Sequence, residues 1–116
     1  MCIINNAGLF VAVGIQGIIL TSTNGLIWDV INSGLKSHNL LSITVDANGF
    51  FVAVGDYADI VSSSDGIKWK LQNESSEHPI STLFSVAVAT NGVFVAVGNY
   101  GEIWYSTNGN DWNITI

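Results

Sequence analysis

Two pairs of neighbouring residues, Asp56-Tyr57 and Asn99-Tyr100, are the combinations in this chain best suited to holding a ligand. Each sets an aromatic ring beside a carboxylate or carboxamide, and such groups stack on and hydrogen-bond a sugar or a peptide. Gln16 stands at the place of the tyrosines in a third, related stretch, with Ile15 at the place of Asp56 and Asn99. A plainer reading competes: Asp and Asn close turns on their own account, and the tyrosines then merely cover a rim. His38 and His78, the only histidines, fall in two polar connections with Lys36, Glu74 and Glu77. They are candidate ligand contacts, but neither has a second ligand at metal spacing, so no metal or other cofactor is expected. His78-Pro79 also reads as a rigid turn element.

Covalent and acid–base chemistry find little support. No Ser-His-Asp arrangement or paired-carboxylate signature is present. The chain has no arginine, so it cannot form the planar fork that grips a carboxylate with two parallel hydrogen bonds. Cys2 is the only cysteine, which excludes internal disulfides and cysteine-rich zinc sites.

The candidate positions recur because the chain repeats. LFVAVGIQGIILTSTNGLIWDV, FFVAVGDYADIVSSSDGIKWKL and VFVAVGNYGEIWYSTNGNDWNI begin at Leu9, Phe50 and Val93. Gly14, Gly55 and Gly98 are 41 and 43 residues apart, and Trp28, Trp69 and Trp112 give the same two spacings. A period of about 40 to 45 residues, filled with short strand-like runs and glycine turns, suits a four-stranded propeller blade. Helical solenoids of similar period need amphipathic runs at 3.6 spacing, and none is present.

Each module divides into strands a to d, with blade 1 at 1–32, blade 2 at 41–73 and blade 3 at 84–116. Strand a is Met1 to Ile4, Leu41 to Val45 and Phe84 to Val88. Turns at Asn5-Asn6-Ala7-Gly8, Asp46-Ala47-Asn48-Gly49 and Ala89-Thr90-Asn91-Gly92 lead into strand b, since Asn-Gly pairs tolerate positive φ. Strand b is FVAVG in every copy, an unbroken apolar run that predicts burial on both faces. Strand c covers Gly17 to Ser22, Asp59 to Ser64 and Glu102 to Thr107. Strand d is expected to carry the tryptophan and to alternate, with one wet face.

The c–d turn carries the most specific motif, S-x-[DN]-G-x-x-W: Ser22, Asn24, Gly25 and Trp28; Ser63, Asp65, Gly66 and Trp69; Ser106, Asn108, Gly109 and Trp112. Asp or Asn accepts bonds from its own turn, Gly takes positive φ, Ser adds a local bond and Trp packs beneath, which points to a structural role. A calcium loop is disfavoured because two copies offer neutral Asn. The motif resembles the Asp-box, or bacterial neuraminidase repeat, of sialidase-like β-propellers, and the repeats of photosystem II assembly-factor-like propellers. It is one residue shorter before the tryptophan than the usual S-x-D-x-G-x-T-W. The resemblance implies an all-β propeller whose ligand site lies on the face opposite this turn. That is the face of the b–c loops, with Gln16, Asp56, Tyr57, Asn99 and Tyr100, and of the d–a connections, with His38 and His78. Sialidases in this group rely on an arginine triad, so the resemblance does not extend to their activity.

Composition narrows the partners. Hydrophobic residues make up 48% and charged residues 10% of the chain, so most of it must be packed. A net charge of −6 with three lysines disfavours nucleic acid, whose binding rests on clustered basic residues. No run approaches a membrane-spanning length, and the apolar start lacks the basic region of a signal peptide. Asn73-Glu74-Ser75 and Asn113-Ile114-Thr115 fit the glycosylation pattern, which matters only in a secreted protein. The expected function is a non-catalytic scaffold for protein interaction or assembly, with a lectin-like glycan binder as the alternative and a glycosidase-related fragment third. Three blades are too few to close a ring, so a homodimer forming a six-bladed propeller is expected, the alternative being a fragment of a longer propeller.

Overall fold

The computed structural model describes residues 1–35, 38–73 and 81–115. Among the described residues, twelve strands form three four-stranded antiparallel sheets in simple up-and-down order. The first sheet holds β1 (Cys2–Asn6), β2 (Leu9–Val13), β3 (Ile19–Ser22) and β4 (Asp29–Ile31). The second holds β5 (Leu40–Val45), β6 (Phe51–Gly55), β7 (Ile60–Ser63) and β8 (Lys70–Asn73). The third holds β9 (Leu83–Val88), β10 (Phe94–Gly98), β11 (Ile103–Ser106) and β12 (Asn113–Thr115). The register repeats with the sequence: Ile3, Ile43 and Val86 pair with Ala12, Ala53 and Ala96. Among the described residues no helix is long and apolar enough to cross a membrane.

Local chemistry sets the hairpins. The Asp46 carboxylate accepts the amides of Asn48 and Phe50, each at 2.9 Å, while Gly49 at φ +83° lets the chain reverse. The first a–b turn is tighter than the repeat suggests. Ala7 and Gly8, both at positive φ, form a two-residue hairpin turn, so β1 continues to Asn6.

The core lies between sheets. Val11, Val13 and Ile19 of the first sheet meet Ile43, Phe51, Ala53 and Val61 of the second. Val52, Val54 and Ile60 on the second sheet's other face meet Val86, Phe94, Ala96 and Trp104 of the third. Each fully buried aliphatic side chain contributes about 1.5–3 kcal/mol, so these two layers dominate stability. All five residues of β6 are buried, whereas β10 alternates between buried and open positions. Burial of FVAVG on both faces is therefore complete in the middle copy and nearly so in the first, where only Phe10 is half-buried, but it fails in the third, where Val95 and Val97 have no neighbouring sheet.

The c–d turns are superimposable in their bonding. Ser63 Oγ accepts the Gly66 amide at 2.8 Å, and Asp65 Oδ1 accepts the amides of Ile67 at 2.8 Å and Lys68 at 3.0 Å. Asn24 and Asn108 do the same for Leu26 and Ile27 and for Asn110 and Asp111. The indole N–H of Trp28, Trp69 and Trp112 donates to the carbonyl of Gly25, Gly66 and Gly109. Each indole also sits against the first phenylalanine of its own strand b, with ring centroids 6.1–6.3 Å apart. The tryptophans were expected within strand d. They end the turn instead, because the indole-to-glycine bond holds them there, and β4, β8 and β12 begin just after them.

Candidate functional site

Each b–c loop is a single 3-10 turn, at Ile15–Gly17, Asp56–Ala58 and Asn99–Gly101. The middle residue is left-handed every time: Gln16 at φ 57°, Tyr57 at 58° and Tyr100 at 62°. Left-handed backbone costs an ordinary L-residue about 1–2 kcal/mol, so each loop holds its apex side chain at some expense. That side chain is turned outward: Gln16 is exposed, and Tyr57 and Tyr100 are 41% and 77% exposed.

The flanking candidates behave differently. Asp56 Oδ2 accepts the Asn39 amide at 3.1 Å, and the Asp56 amide donates to the Asn39 carbonyl at 3.0 Å. Asn99 repeats this two-way clasp with Thr82, at 3.0 and 3.1 Å. These two side chains bind the loop to the start of β5 and β9, and they present the tyrosines beside them. Ile15 has no such acceptor, and in the first loop the Gln16 amide donates to Asn39 Oδ1 at 2.9 Å. Gly17, at φ +69°, is needed there because a Cβ would press on Leu35 and Ser33. An open depression of about 540 Å³ lies beside this loop, lined by Gln16, Val30, Ile31, Ser33 and Leu35 among others.

His38 joins the tyrosine row. Its ring lies against Tyr57, centroids 4.2 Å apart, and its Nδ1 pairs with Asp59 Oδ2. Asp59 is nearly buried while His38 keeps about a third of its side-chain surface, so the carboxylate anchors the imidazole and the imidazole braces the tyrosine. One repeat later, Ser81 and Glu102 occupy the same two positions. The Ser81 hydroxyl donates to Glu102 Oε1 at 2.7 Å, and the Trp104 indole N–H donates to the same oxygen at 3.1 Å. The sequence places Asp59 and Glu102 where the b–c loop meets strand c and points to no partner for either. The 43-residue offset between 38 and 81 and between 59 and 102 was the available signal. His78, with Glu74, Glu77 and Lys36, lies outside the described residues.

Among the described residues no three His, Cys, Asp or Glu side chains gather where a metal ion would sit. At the c–d end, the backbone amides of Lys68 and Ile67 hold the Asp65 carboxyl below the usual carboxylate range, helped by Ser63 and by the charge of Lys68.

No protein-family model matches the chain, and no curated protein matches it. Among solved structures, YCF48 bound to D1 peptide superposes on 94% of the chain with a TM-score of 0.76 at 16% identity. The three sheets are propeller blades. The chain spans 37% of the length of the YCF48 chain, and at this identity the likeness speaks for the fold alone. On that fold, the left-handed loops sit together at one end of the blades and the S-x-[DN]-G-x-x-W turns at the other.

Proposed function

We propose that this chain is a non-catalytic propeller segment that acts as a protein-interaction or assembly scaffold, laying an extended peptide across its b–c loop face. The carrying observation is the row of three strained, outward side chains, Gln16, Tyr57 and Tyr100, at one repeat position of successive blades. Strain held at equivalent sites is most simply retained for contact with something else, since Tyr100 is largely open and Tyr57 keeps 41% of its surface open even beside His38. Tyrosine is also well suited to such contact, being large, rigid and amphipathic. The YCF48 structure is itself a peptide complex, which supports a peptide over other ligands. We read the c–d turn as a shortened Asp-box, a structural clasp on the opposite face.

The test is selection from a phage-displayed library of random peptides on the immobilised chain. A consensus should emerge, and its affinity for the chain should fall more than tenfold in Tyr57→Ala and in Tyr100→Ala. A glycan array run in parallel addresses the lectin-like alternative. Enriched peptides that ignore both tyrosines, or binding to glycans alone, would sink the proposal.

A further inference from the structure

Each blade has a leading face, packed on the blade before it where there is one, and a trailing face, packed on the blade after. On the trailing faces of blades 1 and 2, Val11, Val13 and Ile19 and their equivalents Val52, Val54 and Ile60 are wholly buried. The same positions in blade 3, Val95, Val97 and Ile103, are 38%, 43% and 41% exposed. Tyr105 lies open where Thr21 and Ser62 are buried. The leading face of blade 1 is open in the same way. Ile3 is 56% exposed where Ile43 and Val86 are buried, and Leu20, Trp28 and Ala12 line a shallow apolar depression of about 310 Å³.

Two details identify what these faces lack. Gly66 and Gly109, in the c–d turns of blades 2 and 3, seat against Leu9 and Phe50 of the preceding blade. Gly25 of blade 1 has only Phe10 of its own blade nearby, and the next residue in the series Leu9, Phe50 is Val93 of blade 3. Across the second interface Ser42 Oγ accepts the Val86 amide at 3.2 Å. Its repeat equivalent, Ser85, is exposed, and the equivalent of Val86 is Ile3.

We propose that the trailing face of blade 3 and the leading face of blade 1 are the two halves of an interface this chain already builds twice internally, and that a second copy of the chain covers both. Val95, Val97 and Ile103 of each copy pack on Ile3, Ala12 and Leu20 of the other, Val93 fills the space over Gly25, and Ser85 takes the Ile3 amide. Joined head to tail at both ends about a two-fold axis, two copies make a closed ring of six blades, within the range of blade numbers that propellers adopt. An apolar face bounded by hydrogen-bonding groups is the usual mark of an interaction surface. The interface does not depend on the peptide-binding reading. It does place two rows of Gln16, Tyr57 and Tyr100 around one axis, so that a ligand there would meet both chains.

Size exclusion with light scattering on the 116-residue chain at micromolar concentration should give one species of twice the 12.4 kDa chain mass. Val97→Glu, on a side chain open in the single chain, should yield a monomer with unchanged far-ultraviolet circular dichroism. Ile3→Glu attacks the opposite face and should do the same, which keeps the test intact if one variant fails to fold. Leu26→Glu, at an 84% exposed turn position, should remain a dimer. A wild-type monomer, an open-ended series of sizes, or a folded Val97→Glu variant that stays dimeric would overturn the proposal. Peptide selection reports separately, because a monomer can still bind and a dimer can fail to.

Discussion

Ser81 donates its hydroxyl hydrogen to Glu102 across 2.7 Å, tying the segment that enters blade 3 to the residue just before β11. Both residues are buried, and the oxygen they share also receives the Trp104 indole. Glu102→Ala removes one acceptor from two buried donors. We expect a loss of about 2 kcal/mol in urea unfolding, with Glu102→Gln recovering part of it through its own carbonyl oxygen. A loss below about 0.5 kcal/mol would mean that this contact is incidental.

The motif tryptophans should differ in value according to what lies beyond them. Trp69 packs on the core between blades 1 and 2, whereas Trp28 faces the open leading side of blade 1. In the single chain, Trp69→Ala should cost about 3 kcal/mol, at the low end for large aromatic truncation because the ring is only half-buried. Trp28→Ala should cost about 1 kcal/mol when measured at a concentration low enough to hold the chain monomeric. Equal losses would contradict the packing described.

Asp65 offers a pH test. Its folded carboxyl titrates below the ordinary range, so the unfolded chain takes up a proton first as the pH falls. Its stabilising contribution is complete above the unfolded aspartate value of about 4 and disappears as the pH falls through the lower folded value. Asp65→Asn should therefore be nearly neutral at neutral pH, since Asn24 and Asn108 make the same bonds, and should gain on wild type in acid. Asp65→Ala should cost about 1 kcal/mol or more. Melting that depends on calcium in wild type and loses that dependence in Asp65→Asn would instead make this turn a metal loop.

Tyr100 separates stability from binding. Tyr100→Gly relieves a left-handed backbone cost of about 1 kcal/mol and gives back a similar amount through the looser unfolded chain. Chemical denaturation should thus place the variant within about 0.5 kcal/mol of wild type, while affinity for a selected peptide collapses. A variant that unfolds easily would show the ring to be structural.

What the sequence reveals follows how local each cause is. The hairpins and the c–d turn were legible because Asp46, Asp65 and Gly66 bond or bend within their own few residues. The blade order was legible because FVAVG recurs at nearly constant spacing. In the b–c loops a structural Asp56 and Asn99 beside rim tyrosines was one of two readings left open, but their partners were not legible: Asn39 and Thr82 lie 17 residues away, outside the turn. The His38–Asp59 pair was hidden for the same reason, being set by how the chain enters β5 from a distant turn. The tryptophans were assigned to strand d because alternation continues through them, while the indole-to-glycine bond that ends the turn there depends on three-dimensional geometry.

The complete burial of β6, with partial burial of β2 and β10, also sets an order of opening. In a stack where each unit touches only its neighbours, fraying starts where one flank is missing and travels inward. Amide protons of Val52, Ala53 and Val54 should consequently exchange with solvent only on global unfolding, while those of β12 escape by opening one sheet. A single chain would then behave as a short cooperative lattice with a protected centre, and closing its ends would remove the place where fraying begins.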